Sequence, residues 1–182
     1  MTVTNVTWTI AELAIQPSST GDKCAVRFGE NTAGPSSVRT GAAPGGAARI
    51  VGLRPDTTYL YSASCEGSAA ANGTFRTITA PGPLPPLPKI VGVAALKGPS
   101  SIPAGPVTVK ATYGPTAGVA TACWFELSTE AIGPYYPLSE AECSQPGGTM
   151  SIIMPAGAAM WVRLAMRNAS GRRSSTALRV PP

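Results

Sequence analysis

Hydrophobic and polar residues alternate along most of this chain with the two-residue period of β-strands. In Cys24-Ala25-Val26-Arg27-Phe28-Gly29-Glu30 the apolar positions Cys24, Val26 and Phe28 share one face, and the run stops at a glycine and an acid. Gly73-Thr74-Phe75-Arg76-Thr77-Ile78-Thr79 alternates in the same way. The stretch from Ala48 to Cys65 predicts two strands joined by a corner. An apolar strand ends at Leu53, Pro55, Asp56 and Thr57 turn the chain, and Tyr59, Tyr61, Ala63 and Cys65 then fall on one face of the next strand. Upstream, Val6 to Ile10 and Leu13 to Ile15 predict one or two further strands.

The second half repeats this plan. Met154 to Met160 reproduces the six-residue interval from Leu53 to Tyr59, and Trp161 to Met166 continues as an alternating strand. Pro106 to Tyr113, Ala122 to Leu127 and Ser175 to Val180 predict the second, third and last strands of that half. The 20 glycines and 19 prolines punctuate short strands, and no 3.6-residue periodicity lasts long enough for a helix. The fold class is all-β.

Leu53, the proline-containing turn and Tyr59 together resemble the tyrosine corner of a fibronectin type III domain over roughly residues 1 to 80. That resemblance implies two packed sheets, with the Tyr59 hydroxyl bonded to a backbone carbonyl. In the second half Met160 takes the tyrosine's place, so a general immunoglobulin-like sandwich describes it better. The expected architecture is two tandem immunoglobulin-like, fibronectin type III-like sandwiches, at 1–80 and 89–182, joined by a proline-rich linker at 81–88. Prolines this dense fix φ and remove backbone donors, so the linker is expected to be a stiff polyproline II spacer that holds the sandwiches apart.

Within that resemblance the third and sixth strands are antiparallel neighbours, which implies a disulfide between Cys24 and Cys65. Cys123 and Cys143 are expected to tether the third strand of the second half to the crossover that follows. Four buried thiols are the alternative. A metal site is disfavoured by the absence of histidine and of any C-x-x-C pair, and no cofactor is expected. Without histidine, and with nine scattered carboxylates, the chain also lacks the usual groups for acid–base or nucleophilic catalysis, so a non-enzymatic protein is expected.

The net charge of +5 is uneven: residues 1–80 carry net +1 and residues 89–182 net +4. Arg163, Arg167, Arg172, Arg173 and Arg179 concentrate around the turn Asn168-Ala169-Ser170-Gly171, and this hairpin is the candidate surface for an acidic partner. Ordinary solvation of an exposed hairpin is the competing reading. Aromatics do not interleave with these arginines, so nucleic acid is not expected as a partner. No apolar stretch is long enough to span a membrane, and Met1 leads into strand-like sequence with no basic start or apolar leader core.

Tandem sandwiches without a visible export signal suggest a structural or binding protein of a bacteriophage particle, such as a capsid decoration protein at the virion surface. Its partners would be capsid or other virion proteins, with a host-surface glycan as a further possibility, and the assembly would set its oligomeric state. The alternative is a carbohydrate- or surface-binding module of a secreted bacterial enzyme or adhesin, located extracellularly or at the cell surface.

Overall fold

A computed structural model of the protein describes residues 2–15, 24–30, 37–40, 47–66, 69–97, 106–115, 119–143, 146–155 and 159–180. The described residues form strands joined by turns. In the first half these are β1 (Thr2–Val6), β2 (Ile10–Ala14), β3 (Cys24–Glu30), β4 (Ser37–Thr40), β5 (Ala47–Val51), β6 (Thr58–Cys65) and β7 (Ala71–Arg76). The second half contributes β8 (Ile90–Lys97), β9 (Val107–Pro115), β10 (Ala122–Ser128), β11 (Tyr136–Pro137), β12 (Ala141–Glu142), β13 (Pro146–Met154), β14 (Met160–Asn168), β15 (Gly171–Ser174) and β16 (Leu178–Val180).

In the first half, sheet β1-β2-β5 faces sheet β4-β3-β6-β7. In the second, β13-β9-β8 faces β11-β10-β14-β15, with β12 also paired to β10 and β16 to β14. The alternation read from the sequence places the core: Cys24, Val26 and Phe28 from β3 meet Leu13, Ile50, Tyr59 and Phe75 between the first two sheets. Val109, Phe125, Val162, Leu164 and Met166 fill the second sandwich, with Met160 at its margin. Cys24 and Cys65 are directly opposite in the β3–β6 register and are joined by a disulfide. Cys143 follows β12, which runs alongside β10, and bonds to Cys123.

β4 and β8 were not expected from the sequence, and two expected strands are placed differently. Within Val6 to Ile10, residues Thr7 to Thr9 form the hairpin turn between β1 and β2, because the Thr7 hydroxyl accepts the N–H groups of Thr9 at 3.3 Å and Ile10 at 3.0 Å. A side chain that satisfies these amides replaces the strand ladder, and half-buried Trp8 sits in the turn. Of the expected last strand, Ser175 to Val180, only Leu178–Val180 (β16) pairs as a strand, and β15 precedes it. Between the two the Ser175 hydroxyl accepts the Leu164 N–H at 3.0 Å, a place that a backbone carbonyl fills in an unbroken ladder.

The corner after β5 is built as the sequence suggests, with one correction. The Tyr59 hydroxyl does not bond a carbonyl; its oxygen accepts the N–H of Arg54 at 2.9 Å. The Arg54 carbonyl is taken by the buried Thr77 hydroxyl at 2.6 Å, and Thr77 Oγ1 in turn accepts the Thr57 N–H at 3.0 Å. Both backbone groups of Arg54 are therefore satisfied by side chains inside the corner, as buried polar groups require. The Tyr59 ring stacks on Phe75, with centroids 5.4 Å apart, and meets Phe28 edge-on at 6.3 Å.

Replacing Tyr59 by Phe leaves the Arg54 N–H unpaired, and urea unfolding should report a loss of about 1–3 kcal/mol. Burial raises the Tyr59 phenol above its ordinary value, and the Arg54 N–H and the charge of Arg167 only partly oppose this. Below the unfolded-state value of about 10 the phenol is neutral in both states and its stabilisation is complete. As pH rises beyond that, the unfolded chain ionises first and stability falls. The alkaline decline should therefore be shallower in the Tyr59→Phe protein, and an unchanged slope would show that Tyr59 is not its source.

Candidate binding cleft between the sandwiches

Strand β10 explains why the two sandwiches touch. Its sequence Ala122-Cys123-Trp124-Phe125 is apolar on both faces. Cys123 and Phe125 point into the second core, whereas Ala122 and Trp124 point outward and must be covered by something else. The cover comes from the first sandwich: Val51, with Ile10 beside it, packs on Ala122, Trp124 and Ala165 in a third apolar cluster. Ala165 is opposite Trp124 in the β10–β14 register, so a small residue makes room for the indole.

Arg167, on the outward face of β14, closes this seam. Its Nε donates to the Gly52 carbonyl and Nη2 to the Val51 carbonyl, each at 3.1 Å. The same guanidinium holds Glu140 in a bidentate pair, Nη1 to Oε1 at 3.1 Å and Nη2 to Oε2 at 3.0 Å. Only 12% of the Arg167 side chain and 1% of the Glu140 side chain is exposed. Gly52 is required here on two counts. Its φ of +71° lies in the left-handed region, and a Cβ on it would stand 2.2 Å from the Arg167 carbonyl oxygen.

The proline-rich segment is part of the seam as well, which corrects the expectation of a spacer holding the sandwiches apart. The Asn168 side-chain amide donates to the Pro86 carbonyl at 2.7 Å, and the Ser170 hydroxyl donates to the Pro85 carbonyl. A polyproline stretch has carbonyls free of internal hydrogen bonds, and these two are captured by the turn between β14 and β15.

Beside the seam lies a cleft of about 570 Å³. Glu30 and Arg54 line it from the first sandwich, and Trp124, Glu126, Tyr135, Arg163 and Arg172 line it from the second. Buried Glu126 is its organising group. Oε2 accepts from Arg163 Nε at 2.8 Å, while Oε1 accepts from Arg172 Nη2 at 2.6 Å and from Trp124 Nε1 at 2.9 Å. The Arg163 guanidinium lies over the Tyr135 ring, 3.8 Å from its centroid. The Arg54–Glu30 pair on the facing wall is longer, 3.4 Å, and exposed. Arg167 and Arg172 are directly opposite in the β14–β15 register, where like charges repel unless carboxylates intervene. Glu140 and Glu126 serve that purpose.

The five arginines expected to form one partner surface are thus divided. Arg163, Arg167 and Arg172 are engaged within the protein, whereas Arg173 and Arg179 are exposed and have no carboxylate partner among the described residues. Gly52 and Tyr135 were not anticipated as members of a site, nor were Glu126 and Glu140 as partners of these arginines. Among the described residues no group of three or more metal-ligating side chains occurs, and no helix is long and apolar enough to cross a membrane.

No family model and no curated protein matches the chain. Similar solved structures include a two-domain fibronectin type III segment of chicken tenascin, with 15% identity, 98% of this chain and 97% of that chain covered, and a TM-score of 0.32. The FN1–FN3 domains of chicken CNTN1 share 12% identity over 98% of this chain and 62% of that one, with a TM-score of 0.36. A DUF3823 family protein from Bacteroides ovatus shares 13% identity over 92% and 90%, with a TM-score of 0.37.

Two substitutions test the seam. Arg167→Ala strands the Glu140 carboxylate in a buried site and should cost about 3–5 kcal/mol in urea unfolding. A loss below about 1 kcal/mol, the range of exposed pairs, would place this ion pair in solvent. Gly52→Ala meets both the backbone penalty of about 1–2 kcal/mol and the clash with Arg167. Small-angle scattering should show a larger radius of gyration, and calorimetry should show the two sandwiches unfolding in separate transitions. A single transition at the wild-type temperature would mean that the seam accommodates the methyl group.

Proposed function

We propose that the protein is a non-enzymatic structural and binding component of a bacteriophage particle, an accessory protein on the capsid or a comparable virion surface. The observation that carries this reading is the seam. The Arg167 guanidinium, held by Glu140, captures two strand-end carbonyls of the first sandwich beside the contact of Val51 with Trp124, which joins the sandwiches into one body, and the linker is hydrogen-bonded to the second. Such a body holds a fixed shape on a lattice and spends no ordering entropy between its domains on binding. The disulfides favour a working environment outside the reducing cytoplasm.

Docking is assigned to the second sandwich through Arg173 and Arg179. Both are exposed and available to acidic groups on an assembly. The second reading, a surface- or carbohydrate-binding module of a secreted bacterial enzyme or adhesin, is favoured by the arginine-lined cleft.

The test is fractionation. The protein should co-sediment with gradient-purified particles from a lysate, and Arg173→Gln with Arg179→Gln should lower its occupancy and reduce the salt sensitivity of what remains. Protein that stays entirely in the soluble fraction, yet is retained on bacterial cell walls, would replace the particle reading with the second one.

A further inference from the structure

The cleft between the sandwiches carries a local charge imbalance. Two guanidiniums, Arg163 and Arg172, share the single carboxylate of Glu126, each taking a different oxygen. The other cations of the cleft are matched one to one, Arg167 by Glu140 and Arg54 by Glu30. Among the described residues one positive charge is therefore left over, and its place is fixed. Arg163 is clamped between Glu126 and the Tyr135 ring, and Arg172 is tied to Glu126 and lies 5.7 Å from the Trp124 centroid. A guanidinium has five N–H donors, and Glu126 receives one nitrogen from each of these two side chains. Their remaining N–H groups have no acceptor among the described residues, and both side chains line the cleft.

Charge balance and donor geometry call for the same thing, a second carboxylate bridging Arg163 and Arg172 from the cleft side. The facing wall extends the requirement. The Arg54–Glu30 pair is long and exposed, so its donors and acceptors are free to exchange partners with groups that both donate and accept, which is the chemistry of sugar hydroxyls. The volume, about 570 Å³, lies in the range of pockets that enclose small ligands.

We propose that the cleft binds an acidic sugar residue, with its carboxylate between Arg163 and Arg172 and its hydroxyls toward Arg54 and Glu30. The inference concerns the cleft alone and stands whether or not the protein rides on a particle.

Glucuronate is the probe, with glucose and a short glutamate-rich peptide as comparisons, titrated into the full chain by calorimetry. Glucuronate should bind about tenfold or more tightly than glucose, the factor that about 1.4 kcal/mol of carboxylate recognition gives. Arg172→Gln, at a half-exposed position, should weaken glucuronate by a similar factor with the melting temperature preserved. Glu126→Gln removes the built-in carboxylate and should strengthen glucuronate binding, a gain that a folding defect cannot imitate. Equal binding of glucose and glucuronate would overturn the proposal. So would unchanged glucuronate affinity in Arg172→Gln, or binding of the peptide without binding of the sugar.

Discussion

The guanidinium of Arg167 is shared between a carboxylate of its own sandwich and two carbonyls of the other. An arginine taken out of water is tolerable only when its charge is balanced and most of its donors are used. Glu140 balances the charge, and the end of β5 supplies acceptors that would otherwise face solvent. Neither sandwich can complete this arrangement alone. The relative placement of the two is therefore tied to the satisfaction of a buried charge, a more demanding condition than the apolar contact beside it. Hydrophobic burial is non-directional and would accept many orientations of Val51 on Trp124, whereas two carbonyls and a carboxylate around one planar fork accept very few.

The cleft inherits its order from the same strands. Because β10 and β14 are paired in register, Trp124, Glu126, Arg163 and Arg167 rise from one face, and Arg172 is placed beside them by β15. Two of these arginines surround one carboxylate. Their side chains are held by aromatic rings, an arrangement that limits rotamer freedom before any ligand arrives. The peripheral Arg49–Glu142 pair also spans the two sandwiches, but at 3.4 Å and partly exposed it adds little to their placement.

Several strands with one wet face were legible in the sequence, although β4 and β8 were not read from it. Cys24 to Glu30 and Thr58 to Cys65 alternate cleanly, and the corner at Tyr59 is a local pattern that needs no distant partner. Val6 to Ile10 has the same alternation, yet Thr7 to Thr9 turn within it, because one threonine hydroxyl captured two amides. The seam was less legible, although a signal for it existed: Ala122 to Phe125 is apolar at consecutive positions, more than a half-wet strand needs. Which surface covers such a strand is a tertiary fact that periodicity does not hold. The arginine excess was visible too, but sign and density alone do not separate a guanidinium reserved for Glu126 or Glu140 from one left to solvent.

The bond from Arg167 to Gly52 joins residues 115 positions apart, which bears on how the chain comes to be folded. During synthesis the first sandwich leaves the ribosome while β14 is still unmade. It must close its corner, pair its cysteine-bearing strands and keep the Val51 and Gly52 carbonyls hydrated without help. Because domains generally fold as units, docking of the two bodies follows their folding. A chain interrupted anywhere before Arg167 would leave the first sandwich with an uncovered Val51 and a bare strand end, a state open to misassembly with neighbouring chains.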